Sequence, residues 1–570
     1  MIYTTGGNKM TTLGIDLGTS NSLVAYWKED KAVLIPNVFG DVLTPSVVGI
    51  DENDELLIGK IARERLTSHP DKTAAVFKRF MGTEKCYYLG EQKFSATDLS
   101  SFVLKSLKAD AENFLGETCT EAVISVPAYF NNSQRKATID AAFLAGLKVE
   151  RLISEPTAAA IAYGIHQQND TTLMVIDIGG GTFDVSILEM FDGVMQVIAI
   201  GGNNYLGGED FTTVIIEDFL SKSNLKKDNL SIEDYASLYK QAEDAKKAVC
   251  QNSIGKIVVK EINYSLTEKE FEKICQSLIL KLRNPIIQSL KDAQLKPVDI
   301  EQIVLIGGAT KMPIIKSFVS KFLGKIPFMH INPDETVGLG AAVQAALKER
   351  HEALDEFVLT DVCAHTLGTE IVRIINANEF EDGIFSPIIE RNSTIPISRI
   401  ERYQTVSDLQ SYIEVGIYQG ESRMVKDNLK LGNLTIEMPP NSKAGFPIDI
   451  RFTYDKNGIL EVIVKIPATG EEKQLIIQNS PGDLSEKELK DRLEKLKYLK
   501  VHPRDRAENR LLLARADRLY QMALGDKRQY IEQLIQAFND AIASQNESII
   551  SKASENLKEE LAQIEEVSWD

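Results

Sequence analysis

Cysteine is scarce in this 570-residue chain, and the five present are scattered. Cys86, Cys119, Cys250, Cys275 and Cys363 are odd in number and never form a C-x-x-C pair, which argues against both a disulfide framework and a cysteine zinc site. Six histidines, none in an H-E-x-x-H arrangement, leave no transition-metal cluster in view. No run approaches the roughly 18 apolar residues of a membrane span. The opening MIYTTGGNKMTT lacks the apolar core of a signal peptide, so the cytoplasm is the expected compartment. Positive charge is in deficit: 64 Lys and Arg against 82 Asp and Glu leave a net charge of -18. That balance argues against nucleic acid or an anionic membrane as the main partner, and solubility is its plainest consequence. A Walker loop is missing too, since no G-x-x-x-x-G-K-[ST] occurs.

What is present is a pattern that occurs twice. LMVIDIGGGTFDVSILE, residues 173 to 189, reads as two apolar strands joined by a glycine turn, with Asp177 and Asp184 where a buried sheet should not tolerate carboxylates. Such groups cost several kcal/mol unless a cation or donors satisfy them. Near the N-terminus LGIDLGTSNSLVAYW repeats the design, with Asp16, Gly18 and Thr19 matching Asp177, Gly179 and the Gly180, Gly181, Thr182 that follow. A third glycine turn, Gly307 and Gly308, ends the strand QIVLIGG. Glycine turns let consecutive N–H groups approach an anion, Thr hydroxyls add donors, and the aspartates can hold Mg²⁺ through its waters. The expected site is a phosphate-binding cleft between two related lobes. An ordinary hairpin with solvated aspartates is the plainer reading of either unit alone.

Length predicts about three or four domains. Residues 12 to about 350 alternate strand runs with helical stretches, an α/β pattern, and Thr267 with Glu270 makes a capping-box start for the helix that follows. HEALDEFVLTDVC, 351 to 363, looks like a connector. From 364 to about 480 only strands and turns are expected, with strict alternation at Ile448, Ile450, Phe452 and Tyr454 before an Asn457-Gly458 turn. From 481 the chain becomes helical, with Ser485 and Glu488 as a capping box and Leu489, Leu493 and Leu496 on one face. Residues 1 to 11 carry no pattern and are expected to be a disordered extension, which leaves Met10 as an alternative start.

The segments GIDLGTSNS, VISVPAYFNNSQRKAT, EPTAAAIAYG, IDIGGGTFDVSILE, YLGGEDF and INPDETVGLGAAVQAA together closely resemble the DnaK-type heat-shock chaperones, from about residue 12 to 566. LIPNVFGDVLTPSVV, SHPDKTAAVFKRFMG and GIFSPIIERNSTIPISR are most similar to the HscC branch. The resemblance implies an actin-like two-lobed α/β ATPase domain (12–350), a linker (351–363), a β-sandwich peptide-binding domain (364–480) and an α-helical lid (481–570). It implies ATP and ADP with Mg²⁺ as cofactors, with the metal waters on Asp16 and Asp177. Gly18, Thr19, Ser20, Asn21, Gly179, Gly180, Gly181 and Thr182 would wrap the phosphates. Lys78 would orient the attacking water, with Glu155, Asp184 and Thr182 completing the catalytic shell; on its own, VFKRF would read as a solvated surface. Glu243, Lys246, Lys247, Cys250, Gly307, Gly308, Lys311 and Asp334 would hold the nucleoside. Thr369, Ile371, Tyr403, Ile413 and Val415 would line a peptide channel, with Val372 and Val406 arching over it, although any one of them could be plain sandwich core.

The implied partners are unfolded polypeptide clients, a J-domain co-chaperone docking near Arg151 and Asp361, and an atypical nucleotide-exchange factor; the chain would work as a monomer. The sequence also departs from the family pattern. Cys250 stands where serine is common and Lys311 where arginine is, which predicts weaker nucleotide binding because a lysine cannot stack as a guanidinium does. Thr360 replaces a linker leucine, which predicts weaker linker docking. Between Cys250 and Tyr264 only a short strand segment is expected in place of a longer hairpin. Two other readings stand beside this one: an actin-like sugar kinase or filament-forming ATPase, for which the strands of 364–480 would be superfluous, and a binding protein with a vestigial ATPase.

Overall fold

The computed structural model describes residues 11–164, 170–191, 194–328, 332–348, 358–376, 379–455, 458–477, 503–505 and 507–567. The repeated acid–glycine pattern becomes two sheets of the same design. In the first, the strand Leu13–Asp16 runs antiparallel to Asn21–Lys28 and parallel to Glu121–Val126, and Lys31–Ile35 pairs with the hairpin's outer edge. In the second, Thr171–Ile178 runs antiparallel to Phe183–Phe191 and parallel to Gln302–Ile306, and Val194–Asn203 takes the outer place.

Between the two sheets cross the helices Glu155–Gly164 and Thr336–Lys348, whose sequences EPTAAAIAYG and TVGLGAAVQAALK are almost all small. Small size is required there: a Cβ on Gly340 would overlap the Ala158 carbonyl, and one on Gly14 would overlap the backbone of Ala342. Large side chains fill the outer layers instead, with Phe183, Phe211 and Phe219 fully buried in the second lobe. The expected cap is present: Thr267 Oγ1 accepts from the Glu270 amide and Glu270 accepts from the Thr267 amide at 2.9 Å. The predicted long helix is broken at Cys275 into Glu268–Ile274 and Gln276–Asp292.

The segment expected to be one short strand is a hairpin. Gly255–Val259 and Ile262–Leu266 pair through a turn at Lys260 and Glu261, both with positive φ (49° and 64°), the twist that two-residue hairpin turns favour.

Beyond residue 364 two four-stranded antiparallel sheets form a sandwich. One has the order Glu379–Ile389, Leu367–Asn376, Tyr412–Gln419, Leu429–Glu437; the other Ile397–Gln404, Pro447–Tyr454, Leu460–Lys465, Glu472–Ile477. The alternating Ile448, Ile450, Phe452 and Tyr454 all turn into the core. The helices Ala507–Met522, Asp526–Ala543 and Glu547–Val567 pack around Leu512, Phe538 and Leu557. Gln545 ties them to the sandwich by donating to the Ile400 carbonyl at 2.9 Å. Residues 1–10, Asn457 and the predicted Ser485 cap with its leucine stripe lie outside the described residues.

Part of the connector is itself a strand. Val358–Thr360 pairs in parallel with Val194–Gln196, and Asp361 and Val362 pair with Ile395 and Thr394 of the sandwich. Side chains reinforce this join. Arg391 grips Asp292 through Nε at 2.9 Å and Nη2 at 3.1 Å, and Asn392 bonds both Asp292 and the Ile200 amide. The Asn132 amide donates to Gln419 at 2.9 Å.

Candidate functional site

Asp16 ends its strand and accepts from Ser125 Oγ on the neighbouring strand at 2.7 Å. Asp177 and Asp184 are directly opposed in the second hairpin's register, so their side chains share a face. Asp184 accepts from the Tyr129 amide at 3.0 Å through Oδ1, while its Oδ2 is buried without a partner.

Lys78 is buried, 3% exposed, on the single turn Phe77–Phe80. Val76 precedes that turn with φ 59°, a left-handed conformation that a β-branched residue enters only under strain. The turn delivers the Lys78 ammonium 2.7 Å from Glu155 Oε1 and 5.7 Å from the centre of the Phe130 ring. Burial raises the carboxyls: Asp16 to about 7, Asp184 to about 8, and Asp177 well above the usual range, each raised further by the nearby Glu155.

These side chains face a cavity of about 550 Å³ between the lobes. Of the predicted residues, Asp16, Gly18, Thr19, Ser20, Asn21, Lys78, Glu155, Asp177, Gly179, Gly180 and Thr182 line it. Glu243, Lys246, Lys247, Cys250, Gly307, Gly308, Lys311 and Asp334 line it as well. Gly181 and Asp184 are not among the residues that line it. Two of the glycines leave no room for a side chain: a Cβ on Gly180 would overlap Ser20 Oγ across the cleft, and one on Gly307 would come 2.5 Å from Asp177 Oδ1.

The lysines among these are already partnered. Lys246 donates to the Gly208 carbonyl at 2.9 Å and Thr212 Oγ1 at 2.7 Å, Lys247 pairs with Glu243 at 2.7 Å, and Lys311 pairs with Asp334. Burial pushes the Cys250 thiol up, against the pull of Lys246.

Sequence reasoning missed the contacts that cross the cleft. Arg79 pairs with Asp210 at 3.2 Å, Ser20 Oγ donates to Glu209 at 3.4 Å, and Arg63 approaches Glu243 at 3.9 Å. Glu209 and Asp210 stand in the YLGGEDF segment, where two acids at the start of a helix were the available signal.

A Mg²⁺ ion fits this set on its own chemistry. Asp16, Asp177, Asp184 and Glu155 all face one buried ammonium, Lys78, and one carboxylate oxygen is orphaned. A hard cation bound through waters would relieve that excess of acid.

The sandwich residues are distributed differently. Tyr403, Ile413 and Val415 meet in the sandwich core, Val415 only 3% exposed, and Tyr403 OH lies 3.1 Å from Ser386 Oγ. Thr369 is buried and donates to the Gly416 carbonyl at 2.8 Å. Ile371, Val372 and Val406 stand outside that cluster, with Val372 exposed. The strands carrying Thr369 and Ile413 pair only over Leu367–Thr369 and Ile417–Gln419, so beyond Thr369 their facing edges are free of ladder bonds. At the join, Arg151 donates to Gln344 at 3.2 Å and feels the charge of Asp361, which brings the two predicted docking residues together.

A family profile described as Hsp70 protein matches residues 12–86 and 84–569. The chain is 38% identical to a chaperone protein DnaK of Thermosipho melanesiensis over 588 aligned residues, covering 98% of this chain and 97% of that protein. It is 37% identical to a chaperone protein DnaK of Thermosipho africanus, covering 97% of this chain and 92% of the relative. With the profile and both relatives spanning nearly its whole length, the chain belongs to the Hsp70 family.

Proposed function

We propose that this protein is an ATP-driven chaperone that binds and releases extended apolar peptide segments under the control of ATP hydrolysis. The observation that carries this reading is the strand Val358–Val362, which hydrogen-bonds to the second lobe of the cleft at one end and to the sandwich at the other. A sugar kinase has no use for such a join, and the sandwich it would leave idle is a complete eight-stranded domain.

In the cleft, the glycine turns and Thr19, Ser20 and Thr182 take the phosphates. Lys78, fixed by Glu155, places a positive charge beside the γ-phosphate and orients the attacking water, which is what phosphoryl transfer asks of a protein. Asp16 and Asp177 would hold Mg²⁺, which would supply positive charge to neutralise the phosphates. Glu243, Lys246, Lys247, Cys250, Lys311 and Asp334 serve the nucleoside, and Lys246, whose bonds to Gly208 and Thr212 use two of its three N–H donors, keeps one for it.

In the sandwich, the unpaired edges beyond Thr369 offer backbone groups to a peptide, and Ile371, Tyr403, Ile413 and Val415 give it an apolar floor beneath Val372 and Val406. Boundaries at 12–350, 351–363, 364–480 and 481–570, an HscC-like specialisation, a J-domain partner at Arg151 and Asp361, an atypical exchange factor and a monomeric, cytoplasmic life belong to the same reading.

The test is peptide binding under nucleotide control. An apolar heptapeptide carrying a fluorophore should exchange faster, by anisotropy, with ATP than with ADP, and should speed hydrolysis. Ile413→Phe fills the floor at a packing cost of about 1 to 3 kcal/mol. Circular dichroism should find it folded, while its peptide affinity falls at least tenfold. A folded Ile413→Phe protein with wild-type peptide affinity removes the channel from this site.

A further inference from the structure

The join between cleft and sandwich contains a histidine. His365 follows the strand Val358–Val362 and is buried, 8% exposed. Its ring meets that of Tyr129 edge-on, centroids 4.5 Å apart, and its Nε2 lies 3.0 Å from the Tyr129 carbonyl oxygen. A carbonyl can only accept, so in the neutral ring Nε2 carries the hydrogen. Tyr129 lies in the turn between Glu121–Val126 and the helix Asn132–Leu144 of the first lobe. Its amide donates to Asp184, and its carbonyl accepts a second bond from Asn204 at 2.9 Å. The two backbone groups of one residue therefore connect the sandwich to a carboxylate at the back of the cleft.

A second proton would be unwelcome on this ring. Arg135, from the helix of the first lobe, and Arg391, from the sandwich, both oppose an imidazolium; Glu421 and the Tyr129 carbonyl favour one. Two further ionisable neighbours are neutral, since burial raises both the Tyr129 phenol and the Cys363 thiol, the latter donating to the His365 carbonyl at 3.1 Å. Burial outweighs the favourable contacts and keeps the imidazole neutral down to about pH 4.

We propose that His365 is a positioning residue that makes docking of the sandwich on the first lobe pH-sensitive: the neutral imidazole seats the sandwich against Tyr129, and the imidazolium releases it. A sandwich that has left Tyr129 returns the ring to water and to its ordinary value of about 6.5. Above that pH both forms are neutral and docking is at full strength. Below it the undocked form takes up a proton that the docked form refuses, so docking weakens by about tenfold per unit. That loss continues until the docked ring itself titrates, near pH 4. A departing sandwich also frees the residue that donates to Asp184, so docking and hydrolysis are coupled through the Tyr129 turn; this last link alone rests on the role given to Asp184 above.

Hydrogen exchange of the linker amides Val358 to Thr360, corrected for the intrinsic rate at each pH, reads docking in the full chain with saturating Mg-ATP. Wild-type protection should fall about tenfold between pH 7.5 and 5.5. His365→Gln keeps an N–H donor and His365→Leu keeps an apolar body, and neither titrates. Both should stay level across the range, whatever their absolute protection. A level wild-type profile, or a tenfold fall that persists in both variants, overturns the proposal. Single-turnover hydrolysis measured alongside separates the two claims: a fall in protection with no His365-dependent change in rate upholds pH-sensitive docking and removes the link through Asp184.

Discussion

Lys78 is the residue whose surroundings most change its meaning. In VFKRF it looks like any surface lysine, yet it is buried against Glu155, a partner 77 positions away. Replacing it with Ala leaves Mg-ATP many other proposed contacts but removes the charge proposed to act at the phosphate. Single-turnover hydrolysis should therefore fall by roughly 10² to 10³ while nucleotide still binds. A wild-type rate in that experiment would remove Lys78 from the chemistry, and a melting curve must accompany it, because Glu155 loses its buried partner. The same contrast explains what could be read in advance. Asp16, Asp177 and their glycines were legible because acid, glycine and hydroxyl lie within a few residues of one another and the pattern repeats. Arg79 with Asp210 and Ser20 with Glu209 were not, since these partners stand 131 and 189 residues apart and only the folded lobes bring them together.

Among elements, the linker strand carries the clearest tension. Thr360 lies in the stretch paired with Val194–Gln196, and its Oγ1 is buried there with no partner. An unsatisfied buried hydroxyl costs about 1 to 3 kcal/mol, so this strand docks less firmly than an apolar one would. Thr360→Val keeps the branched shape that suits a strand and deletes the hydroxyl. Linker protection against hydrogen exchange should rise about fivefold or more, the equivalent of some 1 kcal/mol. Equal or lower protection would mean the hydroxyl is satisfied in solution. Alternation in FPIDIRFTY and the Thr267 cap were readable because strand period and cap chemistry are local. The hairpin at Lys260-Glu261 was not, because neither turn residue is the Gly or Asn that usually announces positive φ. Nor did the linker reveal itself as a strand: five residues acquire that state only by finding edges on both neighbours.

At the scale of the whole molecule, the question is what makes the two halves one machine. Asp292 is the last residue of the helix Gln276–Asp292, where a carboxylate meets the negative end of the helix dipole. Its own helix supplies one bond, from Gln288 at 2.6 Å, and the sandwich adds Arg391 and Asn392, which together make three more to it. The contact therefore belongs to the docked arrangement and to neither half alone. Hydrogen bonds between charged groups contribute about 1.5 to 3 kcal/mol, or roughly ten- to a hundredfold in an equilibrium. Arg391→Ala should leave peptide affinity in ADP within about twofold, because the contact is remote from the proposed channel. What should shrink, by about tenfold, is the ratio of peptide dissociation constants between ATP and ADP. Linkage then requires the effect of peptide on the ratio of nucleotide affinities to shrink by the same factor. Anisotropy titrations of peptide in each nucleotide, and of nucleotide with and without peptide, give the two ratios independently. Combining Asp292→Arg with Arg391→Asp should recover part of both, since a cation suits the helix end and the pair is remade with its charges exchanged. If Arg391→Ala retains the wild-type ratios, the two halves communicate through the linker strand and the Tyr129 turn without this pair.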